Sequence, residues 1–215
     1  MLAAAIAAPV AHVDRLLELA VVARLVVTRG GGVFAFAHDL VRETLYDSLD
    51  DPRDRHAAVV SAVEGSPALA GRLPPSDLAR HAYLAGDRLD PEHAIGLLLD
   101  GAREARGRFA AEEQITHLRR AYELSAAASP HRRGVIALDL GRELHHDGER
   151  EEARRLFEEA AAIARDLDDP ELPARVALVH HSHYGRDASL DLLRDAHRRL
   201  VGGPRRPPTG SRSPW

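Results

Sequence analysis

Thirteen histidines, 33 acidic side chains and 29 basic ones make up the reactive inventory of this 215-residue chain; there is no cysteine, and every basic residue is arginine. Without cysteine there is no disulfide framework and no thiol chemistry, which suits a cytoplasmic protein. Without lysine there is no G-x-x-x-x-G-K-[ST] loop. The triple glycine Gly30-Gly31-Gly32 joins two strand-like runs and opens no helix, so it lacks the geometry that cradles a phosphate. There is no G-x-S-x-G and no C-x-x-C. Asp50-Asp51, Glu151-Glu152 and Asp168-Asp169 fall at loops or helix starts, where capping accounts for them. His145-His146 and His180-His181-x-His183 could in principle hold a metal. Neighbouring helical residues point about 100° apart, so they rarely share one ion, and no H-E-x-x-H is present. These histidines read as solvated or partner-facing, and His56 and His81 as packing or capping residues. Neither catalytic residues nor metal ligands are expected, which leaves His38.

The stretch that positions His38 runs from Val33 to Leu49. Val33, Phe34 and Phe36 form an aromatic and β-branched run directly after the glycines, and Leu25-Val26-Val27-Thr28 precedes them. The pair predicts a β-hairpin with glycine at its tip. From Asp39 the period changes: Leu40, Val41, Thr44, Leu45, Ser48 and Leu49 recur at helical spacing, while Arg42, Glu43 and Asp47 point away. Ahead of the hairpin, Leu16, Leu17, Leu19, Ala20 and Ala23 make Val13 to Arg24 an amphipathic helix. Met1 to Val10 is apolar but has no positive start, and is expected to be a further helix, not a signal peptide. Helix, hairpin, helix is the order of a winged-helix module, and residues 1–49 are expected to form part of one.

The string F-A-F-A-H-D-L-V-R-E-T-L-Y-D-S-L, followed shortly by R-D-R-H, resembles a segment of large bacterial signal-transduction ATPases. These are ATP-binding transcriptional regulators of the LuxR and antibiotic-pathway activator type. L-A-R-H-A-Y-L-A-G-D (Leu78 to Asp87) resembles the same family, and the similarity spans roughly Val13 to Leu124. In that family the segment closes the winged-helix part of the ATPase module, and helical repeats follow. The resemblance implies a fragment of a longer regulator, and the Ala-rich, lysine-free composition of a high-GC genome suits an actinobacterial one. It implies that ATP or ADP is a cofactor of the parent and not of this chain. In related ATPases, apoptosome-type ones included, an aromatic-x-His-Asp-Leu motif carries a His to the β-phosphate of bound ADP and holds the closed state. Phe36-Ala37-His38-Asp39-Leu40 resembles that motif. Two readings of His38 stay open: the ADP contact in a full-length parent, or a residue that starts its helix and bonds local backbone.

After Leu49 the pattern is helical throughout. Asp50-Asp51-Pro52 stops one helix and starts the next, Arg53 to Glu64, with Ala57, Val60 and Val63 inward. Ser76 or Asp77 is expected to cap a helix through Tyr83. Residues 50–90 are expected to hold connecting helices, and residues 91–200 antiparallel helix-pair repeats of tetratricopeptide type. The clearest repeat has the small pair Leu140-Gly141, a break at His146-Asp147-Gly148, and then Ala153, Phe157 and Ala160. Gln114, Leu118 and Ala121, with Gly101-Ala102 as small pair, stand 39 residues earlier; Ser189, Leu193 and Ala196 stand 36 later. Small residues permit close helix approach, and the Phe fills the space between repeats. Residues 201–215, rich in Gly, Pro and Arg, are expected to be disordered.

The fold class predicted is thus mostly α: a partial winged helix with one β-hairpin, followed by a helix-pair solenoid. Such a solenoid leaves a groove lined by first helices, here His131 to His145, with Arg142 and Glu143 as ligand or partner contacts. The function expected is non-catalytic: regulation and binding of a protein or small-molecule inducer. A net charge of −4 argues against direct nucleic-acid contact, and no apolar run reaches membrane-span length. A stand-alone scaffold, an accessory segment of a nucleotide cyclase, and a metal-dependent hydrolase using the His clusters are the alternatives.

Overall fold

The computed structural model of the chain describes residues 1–69, 71–167 and 171–184, with 194, 197 and 198. They divide into two units, Met1–Ala127 and Ala128–Trp215. Among the described residues the fold is helical apart from one hairpin.

The first unit opens with a single helical turn, α1 (Leu2–Ala5), and then α2 (Val10–Val22). The expected helix over Met1 to Val10 breaks because Ala7 takes a φ of 49°, and Pro9, which has no N–H to donate, stands ahead of Val10. Strand β1 (Val26–Gly30) pairs antiparallel with β2 (Val33–Phe36), Val26 facing Phe36 and Gly30 facing Val33. Gly30, Gly31 and Gly32 all have positive φ (87°, 58° and 76°), a turn that a run of L-residues would resist. Helix α3 (Asp39–Asp47) follows. Its apolar stripe exists as predicted but faces outward: Leu40 is 73% exposed and no residue of α3 is buried.

Helices α4 (Pro52–Glu64), α5 (Pro75–Leu84), α6 (Pro91–Gly107) and α7 (Ala111–Leu124) complete this unit. Each runs antiparallel to the next, as the cross-helix partners show: His56 meets His81, Ser76 meets Glu104, and Arg108 meets Glu113. Val60, Ala82 and Ala94 form one cluster of the core, with Leu78, Leu89, Leu97 and Leu124 packed on it, and Ile95, Leu98 and Leu118 are buried as well. Residues 50–90, expected to hold connecting helices, contain α4 and α5, which pack on each other. The caps expected at Ser76 or Asp77 are not formed. Pro74 occupies the cap position and Pro75 the first turn, so Ser76 already lies inside the helix and is buried.

The second unit holds α8 (Pro130–Asp147), α9 (Arg150–Asp166) and α10 (Glu171–Tyr184). The break between α8 and α9 is made by Gly148 in the left-handed region (φ 100°), as expected from His146-Asp147-Gly148. Leu140, Gly141, Ala153, Phe157 and Ala160 are buried at the α8–α9 contact. A Cβ built on Gly141 would lie 2.7 Å from the Phe157 ring, so the glycine is what lets the ring seat. Ala121, Leu118 and Gln114 are buried in α7 at the equivalent places. Ser189, Leu193, Ala196 and the tail 201–215 lie outside the described residues.

A regularity of helix starts accompanies this packing. Asp51-Pro52, Ser129-Pro130 and, midway, Asp90-Pro91 open α4, α8 and α6, each 39 residues from the next. In each the cap side chain accepts from a backbone N–H one turn on: Arg53, His93 and Arg132.

Candidate functional site

His38 stands at the N-cap of α3 in extended backbone (φ −142°, ψ 141°) and is exposed. Its carbonyl accepts from Val41 and Arg42, but its imidazole makes no cap bond. Helix-start geometry is therefore met through the backbone, and the residue is exposed. Asp39 lies one position inside the helix, 3.8 Å from Arg42.

Arg142 and Glu143 sit on α8 and are joined to each other and to α10. The Arg142 guanidinium donates to Glu143 Oε1 (3.0 Å) and approaches Asp139 at 3.7 Å; Arg175 of α10 donates to Asp139 at 3.1 Å. Gly134 meets Leu172, so α8 and α10 run parallel with an offset of about one repeat. The pattern of first helices side by side, which the sequence predicts, thus brings Arg142 and Glu143 together with two residues that the sequence reading did not single out, Asp139 and Arg175. The i,i+3 spacing of Asp139 and Arg142 was visible. Arg175 could be found only by placing α10 one repeat on.

Two polar clusters in the first unit were not foreseen. In one, Tyr46 Oη lies 2.9 Å from His56 Nε2, and His56 Nδ1 lies 2.8 Å from His81 Nδ1. A bond between two Nδ1 atoms requires one ring to donate and the other to accept, so the chain Tyr46–His56–His81 is complete with both rings neutral. Burial lowers the pKa of both rings; Arg80 lowers each further, and the neighbouring ring adds to this at His81 while Asp77 opposes it. In the other cluster, Ser76 Oγ donates to Glu104 (2.6 Å), and Arg108 joins Glu104 (2.6 Å) to Glu113 (2.9 Å). The Ser76 hydroxyl and then Arg108 hold the Glu104 carboxyl below the usual range. His117 lies buried beside them, 3% exposed, with neither ring nitrogen hydrogen-bonded, and burial lowers its pKa.

Beside Glu104 a cleft of 720 Å³ opens between the end of α4, the loop that leads into α5, and α6. Val63, Leu73, Leu78 and Leu97 give it an apolar floor, and Glu64, Arg72, Asp100, Arg103 and Glu104 a charged margin.

Among the described residues no group of three or more His, Asp or Glu side chains is placed to hold a metal ion, and no helix is long and apolar enough to cross a membrane. The side chains of His180, His181 and His183 fall outside the described ones. No family model and no curated protein matches the chain. Among solved structures, the crystal structure of MamA is similar at 13% identity and a TM-score of 0.43, over 76% of this chain and 86% of that one.

Proposed function

We propose that this chain is a non-catalytic binding segment whose helix pairs take up a protein or small-molecule inducer, within a cytoplasmic ATP-binding regulator of the LuxR-type signal-transduction class. The observation that carries the binding reading is the pairing of α8 with α10. The two run parallel about one repeat apart, the arrangement from which repeat proteins build a continuous binding face. Asp139, Arg142, Glu143 and Arg175 form one cluster there, with side chains between 18% and 37% exposed. Each is already held by its neighbours, so the cluster is preorganised. A ligand that replaces an internal pair forms charge-assisted hydrogen bonds without first ordering the side chains.

The regulator context rests on the Phe36-to-Leu40 string. His38 stands at a strand-to-helix junction with its ring exposed, in a position that a nucleotide-binding neighbour could reach. In the parent it would donate to the ADP β-phosphate.

The test begins with a peptide array and a small-molecule library screened against the purified chain. The best ligand is then titrated into Arg142→Ala, Arg175→Ala and Arg154→Ala, the last altering a residue of α9 paired with Glu151. Loss of a charged hydrogen bond worth about 1.5–3 kcal/mol weakens binding roughly ten-fold or more in the first two. Weakening by Arg154→Ala alone would reject the α8–α10 face.

A further inference from the structure

We infer that this chain forms a two-fold dimer in which Phe109 of each copy seats in the cleft between α4, α5 and α6 of the other. Phe109 follows the last turn of α6 and is 95% exposed, so its ring packs on almost nothing in its own chain. Its backbone is left-handed, with a φ of 60°. Its N–H donates to the Arg106 carbonyl and the N–H of Ala110 to the Ala105 carbonyl, both at 3.0 Å. This is the helix-ending motif whose left-handed position glycine usually takes. A phenylalanine there bears the steric strain of that region and leaves an aromatic ring in water, and neither cost is recovered within the chain.

The cleft lies at the same end of the bundle. The helices alternate in direction, so the end of α4, the start of α5 and the end of α6 come together there. Arg108, next to Phe109, reaches Ser76 at the start of α5 (3.5 Å). The 720 Å³ of the cleft lies in the range of about 300–1,000 Å³ that holds small ligands, ample for one aromatic ring and the stem of a neighbouring arginine. Leu73, Leu78 and Leu97 are half-buried and supply hydrocarbon for the ring to cover. Charge agrees in sign. The margin carries three carboxylates against two arginines. Asp100 is paired with Arg103, and Glu104 is held by Ser76 and Arg108. Glu64 accepts only from His93 among the described residues, and its side chain is 38% exposed, so it takes up a cation without giving up a pair. Arg106, three residues before Phe109, is exposed, and its side chain has no hydrogen bond or ion pair among the described residues. The knob is thus aromatic with a free cation beside it, and the cleft is apolar with an open carboxylate at its edge. Both stand on one chain at one end of the bundle, so a two-fold axis makes the contact twice and closes the assembly at a pair.

Cleft and Phe109 belong to residues 1–127 and the α8–α10 face to residues 128–215, so this inference goes beyond the function proposed above and either can fail alone. The experiment is sedimentation equilibrium of the full chain up to about 1 mM. The wild type is expected to dimerise with a dissociation constant on the order of 100 μM, the weak association of a small contact. Phe109→Gly should weaken the dimer about thirty-fold or more, the scale of a central aromatic anchor. It should melt no lower than the wild type, because glycine suits the left-handed position. Leu73→Glu, in the loop before α5, puts a carboxylate on the cleft floor and should weaken the dimer by a similar factor. Leu40→Glu, on the outward stripe of α3, should leave it unchanged. A wild type that stays monomeric, dimerisation kept in Phe109→Gly or in Leu73→Glu, or its loss in Leu40→Glu would overturn the inference. So would a lower melting temperature for Phe109→Gly, which would mean that the ring packs within its own chain.

Discussion

A neutral imidazole pair is the sharpest feature at the level of single residues. His56 and His81 share a proton between their Nδ1 atoms while Tyr46 closes the far side of His56, and protonating both rings sets two N–H groups against each other. Burial depresses both pKa values in the fold, so below the ordinary histidine value of about 6.5 the unfolded chain binds more protons than the native one. The stability these rings contribute is whole above that pH and is lost as the pH falls through it. The melting temperature of the wild type should therefore drop between about pH 7.5 and about pH 5. The double variant His56→Gln/His81→Gln should melt lower at the upper pH but lose less on acidification. His117, buried and also depressed, accounts for part of the remaining slope, with the same sign. An acid loss as steep in the double variant as in the wild type would place the sensitivity elsewhere.

Between neighbouring helices, two glycines give opposite answers to the same substitution. Gly→Ala inside a helix gains roughly 0.5–1 kcal/mol from backbone entropy and propensity. At Gly96, in α6, an added Cβ meets nothing within 4 Å, so Gly96→Ala should show that gain. At Gly141 the same methyl would lie 2.7 Å from the Phe157 ring and 3.2 Å from the Ala153 carbonyl, and the backbone oxygen cannot swing aside. Overpacking costs about 1–3 kcal/mol and exceeds the gain, so Gly141→Ala should be net destabilising. Urea midpoints of the two variants against wild type test both signs; a raised midpoint for Gly141→Ala would mean that the α8–α9 contact is looser than this packing requires. Helix α3 leaves its apolar stripe in solvent.

For the molecule as a whole, ATP is the discriminating ligand. A chain without lysine cannot form the lysine-bearing phosphate loop, and His38 alone offers one donor. The purified chain should neither hydrolyse ATP nor hold ADP tightly, and turnover that survives a second purification step would refute the non-catalytic reading. In a reconstructed full-length parent, His38→Ala should release ADP about ten-fold faster, the effect of roughly 1.5–3 kcal/mol lost from one charged hydrogen bond that favours the closed state. Asp39→Ala, inside the first turn of α3, should affect stability more than ADP release. Equal ADP release rates in the wild type and His38→Ala would leave His38 as a helix-start residue.

What could be read from the sequence was local. Three consecutive glycines between β-branched and aromatic runs dictate a hairpin, because few other residues accept positive φ three times in succession. Leu140-Gly141 with Ala153, Phe157 and Ala160 dictates one helix pair, because the spacing itself encodes a close contact across a short turn. The 39-residue recurrence of a capping residue before proline was equally available in the sequence and would have marked α4 as the first of the evenly spaced helix starts. Tertiary structure decided the rest. That His56 meets His81, that Ser76 turns inward to Glu104 instead of capping, and that an apolar cleft opens beside Glu104 all depend on how helices rotate against one another. Partners 25 to 28 residues apart are selected by that rotation, and hydrophobic periodicity fixes which face is apolar without fixing which polar side chains meet at its edge.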